Sequence, residues 1–89
     1  MSKELIYLTY SLFCIDQIRK YISNDSNTRA EKFTKELMYK IENLAEFPNL
    51  GIYLGNNQYK YVINKNYLVY YFILNSIIYI LSVKHVKNN

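Results

Sequence analysis

Apolar and aromatic residues fill positions 67–74, YLVYYFIL, without a polar break. A strand that buries only one face alternates apolar with polar side chains, and this stretch does not alternate. Residues 59–64 and 77–83 flank it and also have strand character. We therefore expect three consecutive strands whose central member is covered on both faces. The protein's own helices should cover one face, and a partner or target the other.

Two helices precede these strands. The first helix is predicted by apolar residues spaced three and four apart, namely Leu12, Ile15, Ile18 and Ile22. Charged residues lie between them. Either Thr9 or Ser11 can cap this helix by accepting hydrogen bonds from its first N–H groups. A longer stripe predicts the second helix over residues 28–47: Ala30, Phe33, Leu37, Ile41, Leu44 and Phe47. Pro48 ends it, because the residue before a proline is pushed out of the α region.

The polar connector at 23–27 is short, so the helices form an antiparallel hairpin. Residues 4–8 read as a short strand, and 48–57 as the longest loop. The predicted order is β-α-α-β-β-β in one domain, 1–89. This is an α+β fold with the N-terminal strand, the hairpin and an antiparallel sheet in two layers.

Within the last strand, alternation places Ile77, Tyr79, Leu81 and Val83 on one face. Asn75 and Ser76 predict a two-residue hairpin loop, since Asn tolerates positive φ. The sheet face away from the helices stays open, and its tyrosines predict an interaction surface.

Composition narrows the class of protein. With 89 residues, 51% hydrophobic and 20% charged, the chain is a globular domain with one core. A net charge of +4 permits contact with nucleic acid or acidic protein. The single Cys14 excludes an internal disulfide and suits a reducing compartment, so we expect a cytoplasmic protein. Residues 67–83 fall short of the ~20 residues that span a bilayer, so no membrane partner is expected.

Motifs for phosphate loops, dinucleotides, serine hydrolases and zinc are absent from the sequence. Neither a metal nor another cofactor is expected. Basic residues gather near the predicted sheet and the C-terminus: Lys60, Lys65, Lys84, His85 and Lys87. If they converge beside tyrosines, they could hold phosphates and stack bases, with His85 as acid or base. Solvated terminal lysines and ordinary strand tyrosines explain the same pattern equally simply.

Two segments carry a family resemblance: LxxFPNLG over residues 44–51 and NYLVYY over 66–71. Further segments support it: IRKYI at 18–22, AEKF at 30–33, YKYVI at 59–63 and IYILSVKH at 78–85. Across nearly its whole length the chain resembles the RelE/ParE superfamily, the toxins of type II toxin–antitoxin modules, also called plasmid-stabilisation proteins. The family fold matches the predicted element order.

This resemblance implies one of two activities. ParE-like toxins poison DNA gyrase, whereas RelE-like toxins cut mRNA on the ribosome. The long hairpin and the FPNLG segment resemble the ParE branch. Leu68 stands where nuclease members usually carry an arginine, which argues against cleavage. If the chain were nevertheless a nuclease, the matching catalytic positions are Lys60, His85 and Lys87.

The resemblance also implies growth inhibition that a cognate antitoxin neutralises. We expect the antitoxin to bind the open sheet face and the helix groove as an added strand or an amphipathic helix. The predicted antitoxin-binding residues are Tyr67, Val69, Tyr71 and Tyr79. A degenerate member that binds an antitoxin without toxicity is a third possibility, because basic residues are missing.

Overall fold

The computed structural model describes residues 3–24 and 26–86. Two helices pack on a five-stranded sheet. In chain order the elements are β1 (Glu4–Tyr7), α1 (Thr9–Ser23), α2 (Asn27–Glu42), a 3₁₀ turn (Asn43–Ala45), β2 (Ile52–Gly55), β3 (Gln58–Ile63), β4 (Tyr67–Leu74) and β5 (Ile77–His85).

The sheet order is β1-β5-β4-β3-β2. β2 to β5 form antiparallel hairpins, while β1 lies parallel to β5, so the sheet is mixed. The predicted α+β class and two-layer arrangement are confirmed. Within the segment predicted to be a loop, 48–57, the structure adds strand β2. Three of its residues, Ile52, Tyr53 and Leu54, are exposed in succession, so β2 carries no alternating pattern that would mark a strand.

Asparagine shapes the turns of the sheet. Each hairpin turns through two residues with positive φ, a conformation that Asn adopts more readily than most residues. The pairs are Asn56 with Asn57, Asn64 with Lys65, and Asn75 with Ser76. The predicted two-residue loop at Asn75 and Ser76 is confirmed, since β4 ends at Leu74 and β5 begins at Ile77.

The helical stripes account for most of the core but not for its ends. Buried residues of the helices include Ile15, Ala30, Leu37, Ile41 and Leu44. Leu12 and Phe47 were wrongly assigned to the core, because they are 47% and 61% exposed. Phe47 lies beyond the 3₁₀ turn, where the helical period no longer applies.

The start of α1 also differs from prediction. Leu8 occupies the N-cap position without a side-chain cap, so neither Thr9 nor Ser11 serves as the cap. Ser11 is fully buried, and its hydroxyl donates to the Leu8 carbonyl at 2.7 Å. The residue of the first turn of α1 that faces the core is therefore the small Ser11, whereas the helical spacing predicts the larger Leu12 there.

A β-bulge in β5 decides which residues face the helices. Tyr71 pairs with Ile80 but Tyr70 pairs with Ser82, so Leu81 is the extra residue. Consequently Ile78, Ile80 and Val83 are buried under the helices. The prediction that Val83 shares a face with Ile77 and Tyr79 was wrong, because simple alternation ignores the bulge.

The side chain of Tyr71 joins the sheet to the segment after the helices. Its ring is fully buried, and its hydroxyl donates to the Pro48 carbonyl at 2.8 Å while accepting the Gly51 N–H at 3.0 Å. A Cβ at Gly51 would lie 2.7 Å from that hydroxyl and 2.9 Å from the Lys60 carbonyl oxygen. Glycine is therefore required at position 51 for close approach.

A column of tyrosines extends this contact to the edge of the sheet. The Tyr71 ring stacks on Tyr59 with centroids 5.0 Å apart, and Tyr59 contacts Tyr53 at 5.2 Å. The Tyr59 hydroxyl also donates to Asn49 Oδ1 at 3.4 Å. These rings cover β2 and β3 on the same side of the sheet on which the helices cover β4 and β5.

We predict that Tyr71→Phe lowers the free energy of unfolding by about 1–3 kcal/mol, because Gly51 N–H and Pro48 C=O lose their buried partner. The matched control is Tyr70→Phe, the neighbouring tyrosine on the opposite face, with an expected change within about 0.5 kcal/mol. Urea unfolding followed by circular dichroism measures both. Equal losses in the two variants would contradict the role given to the Tyr71 hydroxyl.

Alkaline pH is expected to destabilise the fold. Burial raises the pKa of Tyr71, with Tyr59 and Tyr61 adding to it and the Gly51 N–H opposing it. Burial and the Glu42 carboxylate raise the pKa of Tyr7, whose hydroxyl donates to Glu42 at 3.1 Å. In the unfolded chain both ionise near their usual value of about 10, whereas the folded chain keeps their protons.

The stabilisation is therefore complete below about pH 10 and is lost as the pH rises above it. The midpoint of thermal unfolding should fall above this pH, and less steeply in Tyr71→Phe than in the unchanged chain. Parallel slopes for the two proteins would rule out a contribution from Tyr71.

Candidate functional site

The sheet face away from the helices carries a continuous apolar surface. Strand register places alternate residues of β4 there, beside residues of β5 and of β3. We call this surface the open face; its apolar members are Val62, Leu68, Tyr70, Phe72, Leu74, Ile77 and Tyr79. Phe72 and Tyr79 stack with centroids 4.8 Å apart and planes 15° apart. The two rings shield each other, which leaves both half-buried without any covering element.

Lysines border one end of the open face. Lys60 lies directly across from Tyr70 in the β3–β4 pair, and Lys84 lies across from Leu68 in the β4–β5 pair. The Lys84 ammonium sits 5.9 Å from the centroid of the Tyr70 ring, within reach of a cation–π interaction. The open face thus joins an apolar surface to a local positive charge.

Three of the four residues predicted to bind an antitoxin lie on the other side of the sheet. Val69 and Tyr71 are 0% exposed in the core, and Tyr67 contacts Phe33 of α2 at 4.9 Å between centroids. Their placement on the open face was wrong, and only Tyr79 lies there. The physical reason is that a strand apolar on both faces does not reveal which parity faces the helices.

His85 and Lys60 are not brought together. The His85 ring meets Tyr67 edge-on at 4.8 Å, on the side of the sheet that the helices cover. Lys60 lies across from Tyr70, on the open face. The predicted convergence of the two is wrong, because the bulge at Leu81 directs Lys84 and not His85 to the open face. Lys87 lies outside the described residues.

Tyr67 forms a small aromatic cluster between the helices and the end of β5. It contacts Phe33 on one side and His85 on the other. Burial raises the pKa of Tyr67, and nearby Tyr21 adds to the shift. The two ring contacts pack the end of β5 against α2.

Other kinds of site are not found in the part of the chain described. Residues 3–24 and 26–86 contain no group of His, Cys, Asp and Glu side chains arranged for a metal ion. They also form no pocket able to enclose a small ligand. No helix among them is long and apolar enough to cross a membrane.

Sequence reasoning missed six apolar residues of the open face: Val62, Leu68, Tyr70, Phe72, Leu74 and Ile77. No signal in the sequence alone identifies them, because β4 is apolar on both faces and the contact of Tyr71 with Gly51 is visible only in the fold.

A helical hairpin covers one face of a mixed sheet, and an apolar surface bordered by lysines forms the other. Exposed apolar surfaces of this kind usually mark interaction sites. Residues 14–89 match the family described as the ParE toxin of the type II toxin-antitoxin system, parDE. Because the match spans most of the chain, this protein belongs to the ParE toxin family.

Structural comparison agrees with this assignment at the level of the fold. A chain of the chromosomal ParDE TA system from P. aeruginosa superimposes with a TM-score of 0.85. It is 13% identical in sequence, and the match covers 97% of this chain and 98% of that one. No curated protein matches the sequence.

Proposed function

We propose that this toxin inhibits bacterial DNA gyrase, and that a cognate antitoxin neutralises it by covering the open face. Membership of the ParE family supports the toxin and its antitoxin partner. The observation that carries the proposal is the open face itself, where Leu68, Phe72 and Tyr79 present apolar groups suited to a protein partner. Inhibition by binding needs such a surface and no acid–base pair.

The arrangement of basic residues supports binding over RNA cleavage. General acid–base catalysis needs both groups within hydrogen-bond reach of the same substrate. Lys60 and His85 lie on opposite sides of the sheet, so one phosphodiester cannot contact both. Leu68 adds an apolar side chain at the position where nuclease relatives would carry an arginine.

The open face also indicates the chemistry of an antitoxin segment. Apolar side chains would pack on Leu68, Phe72 and Tyr79, and an acidic side chain would pair with Lys60 or Lys84 beside Tyr70. An amphipathic helix with a negatively charged edge meets both requirements. Burial of the aromatic pair would supply most of the affinity, since interface energy concentrates in a few aromatic anchors.

For the toxin target, we expect the purified chain to inhibit supercoiling by gyrase and to accumulate the DNA-cleavage complex. Relaxation by a type I topoisomerase is the control and should be unaffected. The triple variant Lys60→Ala, His85→Ala, Lys87→Ala should still inhibit gyrase and arrest growth, with any weakening limited to the loss of the Lys60 charge from the open face.

Two results would contradict the gyrase proposal. Arrest of ribosomal translation with no effect on gyrase, lost in the triple variant, would indicate an mRNA nuclease. Expression without antitoxin and without growth arrest would indicate a degenerate member that only binds its partner.

For the antitoxin surface, we expect Phe72→Ala to weaken antitoxin binding roughly thirtyfold, the equivalent of about 2 kcal/mol at an aromatic anchor. Tyr39→Ala is the matched control, because this aromatic side chain is 69% exposed on α2, away from the open face. Isothermal titration calorimetry measures both affinities, and thermal unfolding checks that each variant is folded. Similar affinities for the two variants would place the antitoxin elsewhere.

A further inference from the structure

The net positive charge of the chain belongs to the residues that form most of the sheet. Residues 1–46 contain seven basic and seven acidic side chains, so their formal charges cancel. Residues 47–89 contain four lysines and neither aspartate nor glutamate. The formal charge of +4 therefore comes from the part of the sequence that includes β2 to β5. An anion that approaches these strands meets no carboxylate on them, so nothing in these strands offsets the attraction.

Strand register sorts the side chains of the open face into rows that cross the sheet. Two adjacent rows form what we call the lysine end: Val62–Leu68–Lys84 and Lys60–Tyr70–Ser82. Lys60 lies on one side of Tyr70, and the Lys84 ammonium lies 5.9 Å from the centroid of the same ring. Glu4 lies beside Ile77 in the β1–β5 pair, two rows beyond Tyr70 at the opposite end of the face. Positive charge is thus concentrated at one end of the open face.

The polar groups of the lysine end can donate hydrogen bonds to phosphate oxygens. The two ammonium groups are donors only, and the hydroxyls of Tyr70 and Ser82 can donate as well. In the next row the Phe72 and Tyr79 rings stack with centroids 4.8 Å apart. Lysines beside aromatic rings suit single-stranded nucleic acid, because lysines neutralise phosphates and every base has a face that can stack. A base on the outer face of the Phe72–Tyr79 pair would extend a stack that is already formed.

The apolar surroundings of these rings favour DNA over RNA. The side chains of Val62, Leu68 and Leu74 offer no hydrogen-bond partner to a sugar. An RNA strand would bring 2′-hydroxyls against them, and burial of a hydroxyl without a partner is unfavourable. A DNA strand has no such group. In a double helix the base faces already stack on one another, so the ligand that can use the rings is a single strand.

We propose that the lysine end and the adjoining Phe72–Tyr79 pair bind single-stranded DNA without sequence preference. Phosphates lie beside Lys60 and Lys84, and bases stack on the aromatic pair. This is binding without cleavage, and it goes beyond the gyrase proposal without depending on it. One consequence does rest on the proposed function: an antitoxin that covers the open face would displace the DNA, because its acidic edge would use the same lysines.

Fluorescence anisotropy of a labelled oligothymidine of about 15 nucleotides, measured with the full chain over a salt series, tests this binding. Lys60→Gln should weaken binding about fivefold. It should also reduce the slope of log affinity against log salt by about 0.7, the value for one phosphate contact on a single strand. The matched control Lys35→Gln removes the same charge from an exposed position on α2 and should change neither quantity.

Phe72→Ala separates stacking from charge. It should weaken binding about tenfold with the salt slope unchanged, because a stacking ring is lost while every lysine remains. Circular dichroism verifies that each variant is folded. Oligouridine of the same length should bind more weakly than oligothymidine.

Absence of binding by the folded chain up to about 1 mM, beyond the usual range of non-specific binding, would overturn the proposal. Equal changes in Lys60→Gln and Lys35→Gln would also overturn it, since they would indicate diffuse attraction to the whole chain. Oligouridine binding as tight as that of oligothymidine would overturn the assignment to DNA. Polyglutamate that displaces the label as effectively as unlabelled oligothymidine would assign the lysine end to acidic protein instead. The assay contains no gyrase, so its failure and a failure to inhibit gyrase are separate results.

Discussion

The hydroxyl of one buried tyrosine holds this fold together across three parts of the chain. Tyr71 lies in the central strand, and its two hydrogen bonds reach the Pro48 carbonyl and the Gly51 N–H. Those two groups are partly buried, so removing the hydroxyl would leave both without this partner in a site with limited access to water. The path from the second helix into β2 therefore depends on a contact with β4. The same contact fixes which face of β4 points inwards.

Once that parity is fixed, the rest of the sheet follows. Val69 and Tyr71 pack under the helices, so Leu68, Tyr70 and Phe72 point away from them. The chain stabilises itself with one set of side chains and offers the other set to a partner. In a domain of this size, a strand that is apolar on both faces contributes one face to the core and offers the other to an interface. The remaining exposure is reduced by stacking of Phe72 on Tyr79 and by the contact of Lys84 with Tyr70.

Periodicity predicted the helices and their central core residues well, because Leu37 and Ile41 recur with the helical period and are buried. It failed at the ends of the stripes, where Leu12 and Phe47 keep the spacing but lie outside the packed region. It also failed for β2, whose side chains are exposed on both faces. The candidate site was predicted as a surface but not as a set of residues, since burial parity depends on the distant hydroxyl contact at Gly51. The LxxFPNLG and NYLVYY segments that resemble one family meet at that contact.

The extra residue in β5 has a consequence for comparing this protein with its relatives. Without the bulge at Leu81, each later residue of β5 would pair with the preceding residue of β4 and would point to the opposite face of the sheet. A relative with a regular strand would thus present a different residue at the same spatial position. Aligning the last strands position by position, without a gap at 81, would equate a surface lysine with a residue that faces the helices. Structural superposition is therefore needed before any role of the C-terminal basic residues is transferred between members.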